Sequence, residues 1–248
     1  MFKQCVRVAT MLALAASLAV SLSGAARAAN DELRLIAPLN QAMPLARFHA
    51  DKLSGGILKD LGDAMAQRLG RRVVYVTVAG DQVGAALTSG KADGICYVRP
   101  FWIDGNFDWS RPLIPDSELI ASAPDVPVVR SLLDLRDRPV GTVKGYRYPR
   151  MEQVLGLRFR RLDAPTMEEN LRNVMLGHAR YTVVVQSTLD YHLKVNKLLK
   201  LRADLKTASY TAQCAFSRRG NVAFTEVDKA INTLIDDGSV QRILARYR

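Results

Sequence analysis

The chain has 248 residues, 48% of them apolar, with only 10 prolines and 16 glycines; this is a globular composition for one large or two small domains, and it excludes a disordered or collagen-like chain. Lysine and arginine outnumber aspartate and glutamate by 35 to 24, a formal charge of +11, which raises the question of a nucleic-acid or membrane-surface partner.

The amino terminus answers part of that question. A short basic region (Lys3, Arg7) leads into the apolar run Val8 to Leu22 and then Ser23-Gly24-Ala25-Ala26-Arg27-Ala28. This is the three-part plan of a cleaved secretory signal peptide over residues 1–28, with Ala26-Arg27-Ala28 as the cleavage site. The run is shorter than the roughly 20 residues that a bilayer-spanning helix needs. Cleavage removes Lys3, Arg7 and Arg27 and lowers the charge from +11 to +8. An exported protein meets little nucleic acid. Cys96 and Cys214 remain, in an oxidising compartment where disulfides persist.

Leu33 to Ala37 reads as a strand closed by Pro38, followed by a loop holding Met43 and Pro44. Ser54 is placed to cap a helix through Ile57, Leu58, Leu61, Met65 and Leu69 that stops at Gly70. Arg72 to Val78 is a strand, Asp81 caps a short helix ended by Gly90, and Gly94 to Val98 is strand-like. Alternating strands and helices predict a parallel α/β sheet. The proline-rich stretch from Arg99 to Pro127 interrupts the rhythm, with Glu118 to Ala121 extended. A second α/β unit follows: a helical turn over Ser131 to Leu135, strands at Val140 to Val143, Phe159 to Leu162 and Tyr181 to Val185, and helices around Met151 to Leu155, after Thr166, and from Ser187. Thr211 to Ser217 reads as one more strand, before helices from Thr225 and Ser239. Two similar units joined by a crossing and a return strand suggest a ligand cleft between them.

Six segments in order resemble the family 3 extracellular solute-binding proteins, receptors of amino-acid ABC importers. Leu33 to Ala37 looks like the opening strand, and Gly56 to Leu61 like the first helix. Leu87-Thr88-Ser89-Gly90-Lys91-Ala92-Asp93 is similar to "L-x-S-G-K-A-D", and Asp108 to Leu113 resembles "D-F-S-x-P-Y". Leu132 to Leu135 with Pro139-Val140-Gly141 looks like "L-x-D-L…V-G". Asp237-Gly238-Ser239 with Ile243 to Tyr247 resembles the family's carboxy terminus. The resemblance implies a type II periplasmic-binding-protein fold: two α/β lobes joined by two hinge strands, residues 29–113 plus 212–248 forming lobe one and 114–211 lobe two. The ligand cleft lies between them. It also implies closure around a solute, a periplasmic location and a monomer. By the family's strand order, Cys96 and Cys214 lie on neighbouring segments and are a candidate disulfide.

The chain departs from the family where the family holds an α-amino acid. The arginine-bearing "T-x-E-R" segment is here Phe101-Trp102-Ile103-Asp104, with Arg99 the only arginine nearby. The aspartate position after the strand 183–185 is Gln186, and Leu58 stands where an acidic residue is usual. An α-amino acid ligand is thereby placed in doubt.

Ligands of such folds sit outside the carboxyl ends of the parallel strands. On lobe one this selects the loops 40–44, 80–81 and 97–102. Tyr97, Arg99 and Trp102 combine aromatic surface with a guanidinium able to grip a carboxylate or phosphate; alternatively Trp102 packs the hinge and Arg99 is a solvated loop charge. On lobe two, Lys144, Gly145, Tyr146, Arg147 and Tyr148 precede a helix start that favours an anion; the alternative is a surface loop with tyrosines packed on the helix. Gln186 offers a donor and an acceptor. The basic residues Arg147, Arg150, Arg158, Arg160 and Arg161 read as a solvated face, or else a docking surface. Scattered histidines, and the lack of G-x-S-x-G and of a phosphate loop, give catalysis, a metal or a cofactor little support. The expected role is a periplasmic solute-binding protein that closes on a small polar, anion-bearing solute and delivers it to an inner-membrane ABC permease. The alternatives are a sensory or adaptor protein acting on a membrane receptor, and, with less support, an enzyme of this fold.

Overall fold

The computed structural model describes residues 31–248; the signal-peptide reading of residues 1–28 lies outside the described residues. Strand β1 (Glu32–Pro38) leads through a hairpin, β2 (Arg47–His49) and β3 (Lys52–Gly55), into helix α1 (Ile57–Leu69). Then come β4 (Arg72–Val78), α2 (Val83–Thr88), β5 (Gly94–Val98) and the short β6 (Phe107–Trp109). The chain crosses over in β7 (Ile114–Ser122) and continues through β8 (Pro139–Val143), α3 (Pro149–Leu155), β9 (Arg160–Ala164), α4 (Met167–Met175), β10 (Tyr181–Val185) and α5 (Gln186–Val195). It returns along β11 (Arg202–Ser217) and ends in α6 (Phe224–Asp236) and α7 (Ser239–Ala245).

The strand order is β4-β1-β5-β11-β7-β10-β8-β9, with β6 on β11. β1 runs parallel to β4 and β5, and β8 parallel to β9 and β10. The return strand belongs to both halves: residues 213–216 pair antiparallel with β5, and residues 202–212 with β7. Register shifts at Ala203/Leu205, Lys206/Ala208 and Gln213/Cys214 bend it between the two.

Each half is covered on both faces because its strands bury alternate residues on opposite sides. Leu33 and Leu35 of β1 face α1, α6 and α7, whereas Ile36 packs with Val83 and Leu87 of α2. In the other half Ile120 and Val183 pack toward Met151 of α3, while Leu119 and Val184 pack with Leu171 of α4 and Leu189 of α5.

Several local expectations are corrected. Ser54 lies in β3, its hydroxyl donating to the Arg47 carbonyl at 3.0 Å. Helix α1 instead starts at Gly56, whose φ of 102° brings it so close to the Leu45 carbonyl that a Cβ would lie 2.5 Å from that oxygen. Asp81 sits in a 3-10 turn (Gly80–Gln82) ahead of α2 and makes no side-chain cap. β11 begins nine residues before Thr211, because its bulges put the upstream apolar residues out of a period-2 pattern. The hairpin β2–β3 turns at Ala50 and Asp51, both at positive φ, a turn usually signalled by Asn-Gly.

Candidate functional site

Where the two halves of the sheet face each other, the loops at the strand ends enclose a cavity of about 110 Å³, small enough to restrict an occupant to a small molecule. One wall is the end of β5. Tyr97 there is buried at φ +62°, and Phe101 in the same loop is at φ +73°, a conformation uncommon for a bulky side-chain-bearing residue. Tyr97 donates its hydroxyl to Asp116 at 2.7 Å, with the Tyr210 hydroxyl 3.1 Å away. Trp102 meets Tyr210 edge-on at 5.1 Å and Tyr97 at 6.3 Å between ring centroids. Asp116 also accepts from the Ser187 hydroxyl at 2.6 Å, so a single carboxylate ties the crossing strand to the end of β5 and the start of α5.

The opposite wall is the loop after β8. Gly145, Tyr146, Arg147 and Tyr148 line the cavity with Val183, Val184 and Val185 of β10. Tyr148 is fixed from below, its hydroxyl accepting from the Val143 N–H at 2.9 Å with the Arg161 guanidinium over its ring. Burial pushes the hydroxyls of Tyr97, Tyr146, Tyr148 and Tyr210 above the ordinary tyrosine range, so they present aromatic faces and neutral hydroxyls.

The two walls touch. Arg147 forms an ion pair with Asp104 and donates to the Phe101 carbonyl at 3.1 Å. Asn40 donates from Nδ2 to the Lys144 carbonyl at 3.1 Å, while its own carbonyl accepts from the Met167 N–H at 3.1 Å. Gly145, at φ +83°, lies against the Gly80–Asp81 backbone.

Of the expected residues, Tyr97, Trp102, Gly145, Tyr146, Arg147 and Tyr148 line this one cavity. Arg99 lies outside the lining, its guanidinium carbon 5.1 Å from the Tyr210 ring and 5.8 Å from the Trp102 ring. Lys144 contributes its carbonyl to the Asn40 contact. Gln186 faces a separate groove and donates to Asp190, one turn on, at 2.6 Å. Cys96 and Cys214 are directly opposed on β5 and β11 and are bonded. Much of the basic segment is paired locally, Arg158 with Asp137 and Arg161 with Asp163 and Glu152.

Residues that sequence reasoning did not single out complete the site. Glu118 of β7 lines the cavity and accepts from the Thr207 hydroxyl at 2.7 Å. Burial raises its carboxyl above the usual glutamate value, against the opposing pull of Thr207, Arg150 and Arg99. Asn40 is 4% exposed, and its Oδ1 has no hydrogen-bond partner. Glu118, Tyr210 and Asp116 lie on the two strands that join the halves. Their signal was a polar or aromatic residue within a strand that the bulges and Pro115 obscure.

No protein-family model matches the chain, and no curated protein matches it. Solved structures do. An ancestral arginine-binding protein bound to arginine is 20% identical, covering 88% of this chain and 98% of its own, with a TM-score of 0.74. The arginine-, lysine-, histidine-binding protein ArtJ from Geobacillus stearothermophilus is 18% identical over 87% of this chain and 94% of its own, with a TM-score of 0.73. The periplasmic VFT2 domain of Bordetella pertussis BvgS is 21% identical over 88% and 94%, with a TM-score of 0.69. At these identities the likeness is one of fold: the chain has the two-lobed fold of the periplasmic binding proteins, with its cavity between the lobes.

Proposed function

We propose that this is a periplasmic solute-binding protein that closes on a small solute and hands it to an inner-membrane ABC importer. Residues 29–113 plus 212–248 act as one lobe and 114–211 as the other. The observation that carries the reading is the cavity between the two halves. Its walls come from both halves, its lining is mostly apolar and aromatic with a few directed polar groups, and contacts such as Arg147 to Asp104 exist only when the halves approach. Such a site couples occupancy to shape, since a solute that touches both lobes binds the closed form in preference to the open one. The arginine-binding character of two structural neighbours supports a solute of amino-acid size.

The test is thermal unfolding of the exported protein against amino acids, amines, organic acids and sugars. A ligand at a hundred times its Kd stabilises by about 2.7 kcal/mol, which a melting curve resolves. A saturable shift accompanied by compaction in small-angle scattering is the expected result, and loss of uptake of that solute in cells lacking the gene would support delivery to an importer. A folded protein that none of the panel stabilises would overturn the reading.

A further inference from the structure

The charge inside the cavity differs from that of a site built for a carboxylate. Among the described residues Arg147 is the one guanidinium that lines it, and it is occupied by Asp104 and the Phe101 carbonyl. The other nearby, Arg99, stands outside the lining, stacked on Trp102 and Tyr210. What the cavity does offer is acceptors. Glu118 is its only carboxylate and forms no ion pair among the described residues; its hydrogen bond from Thr207 engages Oε1. Asn40 brings a buried Oδ1 with no partner. The orientation of its amide is set by Nδ2, which is committed to the Lys144 carbonyl at 3.1 Å. The amide itself fits there only because residue 80 is glycine: a Cβ would lie 1.8 Å from Nδ2.

A carboxylate without an ion-pair partner and an unpartnered amide oxygen call for a ligand that donates, and aromatic faces around them favour a positive one. Cations are attracted to the faces of Trp and Tyr, more strongly when desolvated, and a buried carboxylate is costly unless it is paired. We propose that the cavity receives the protonated amine of a small alkylamine, its N–H groups directed to Glu118 and Asn40 Oδ1, its charge against the faces of Tyr97, Trp102 and Tyr210, and its alkyl body against Val183 to Val185. This rests on the solute-binding reading and names the class of solute. Arg99 and Arg150 bear on Glu118 from outside the cavity and oppose an incoming cation, so removing either favours it.

The test titrates the exported protein with butylammonium, butyrate and the zwitterion L-norvaline, three probes of matched chain length, by calorimetry and thermal unfolding. The expected result is saturable binding of butylammonium with no binding of butyrate. Affinity should fall at least about tenfold in Glu118→Gln, and hold or rise in Arg99→Gln. Trp102→Leu, with its fold checked by circular dichroism, is the second variant should Glu118→Gln not fold, and it too should weaken butylammonium. Binding confined to butyrate, to norvaline or to an uncharged solute, or weakened by Arg99→Gln, overturns the assigned charge and leaves the solute-binding reading standing. A folded protein that binds neither these probes nor any of the wider panel overturns both.

Discussion

Arg147, on the loop after β8, reaches across the cleft to the carboxylate of Asp104, on the loop after β5. Both side chains of the pair are exposed, so water and salt screen it. It holds Asp104 below the usual carboxylate range in the closed form. In the open form Asp104 returns toward its ordinary value, so the pair's contribution to closure is complete above the ordinary aspartate range and is lost as the pH falls through the lowered one. Asp104→Asn should shift the protein toward the open form, read as a larger radius of gyration, and weaken ligand binding by no more than severalfold. The wild type should show the same expansion in acid, and the variant should not respond further. An unchanged radius in the variant would mean that the other contacts between the lobes, from Asn40 and Gly145 and from Arg147 to the Phe101 carbonyl, set closure without it.

Gly145 makes a stronger case for closure. Its φ of +83° is strained for any residue with a Cβ, and that Cβ would lie 3.0 Å from the Asp81 nitrogen and 3.2 Å from the Gly80 carbonyl carbon. The first cost, about 1–2 kcal/mol, applies in either state if the loop keeps its shape; the second applies only when the lobes meet. Gly145→Ala should therefore lower the melting temperature modestly and weaken ligand binding by roughly tenfold or more, at about 1.4 kcal/mol per factor of ten. Calorimetric titration beside a melting curve separates the two, and an affinity equal to wild type would show that closure does not bring Gly145 onto the Gly80–Asp81 backbone.

The strands and helices that bury continuous apolar runs were legible in the sequence, because hydrophobic periodicity reports burial directly: β1, β5, β8 and β10, and the helices α1, α3 and α5, fall where expected. The segment similar to "L-x-S-G-K-A-D", ending at Asp93, turns out to be structural. Asp93 is 1% exposed and accepts from the Arg34 N–H at 2.7 Å, the Arg34 guanidinium at 2.7 Å and the Asn221 N–H at 2.6 Å. It joins β1 to the loop before α6. The loops that carry the cavity were legible as places, since ligands gather at strand ends, but their partners were not. Whether Arg147 meets a solute or Asp104 depends on how closely the lobes approach, which no local pattern encodes. Glu118 and Tyr210 sit on the bent joining strands, where alternation is lost and a half-buried acid looks like a surface one.

The Cys96–Cys214 bond closes a sequence separation of 118 residues and lies in the core between β5 and β11, next to Tyr97. A loop of that length gives the cross-link a large effect on the unfolded chain, and loss of a native bond costs about 2–5 kcal/mol. The double variant Cys96→Ser, Cys214→Ser should melt roughly 5–20 °C lower for a domain of this size. The reductant-treated wild type should match it. If the bond acted only on the unfolded state, ligand affinity would hold; a loss beyond severalfold would show that it also fixes Tyr97 in place.

Glu118 gives the last expectation, on the stability of the unliganded protein. Burial raises its carboxyl above the usual glutamate value, more than Thr207, Arg150 and Arg99 lower it. The folded state therefore holds the proton more tightly than the unfolded one. Below the ordinary glutamate range both states are protonated and nothing is lost. As pH rises through the elevated value the carboxylate must ionise in a half-buried site, and stability falls. Replacing it with glutamine removes that loss while keeping the contact with Thr207. The melting temperature of Glu118→Gln should thus exceed that of wild type by a margin that widens from acid to neutral pH, even as the variant loses its affinity for a cationic ligand. A margin that narrows or reverses toward neutral pH would mean that the two arginines and Thr207 stabilise the charge in the fold better than water does. The acid would then serve the fold, and a ligand would gain little by pairing with it.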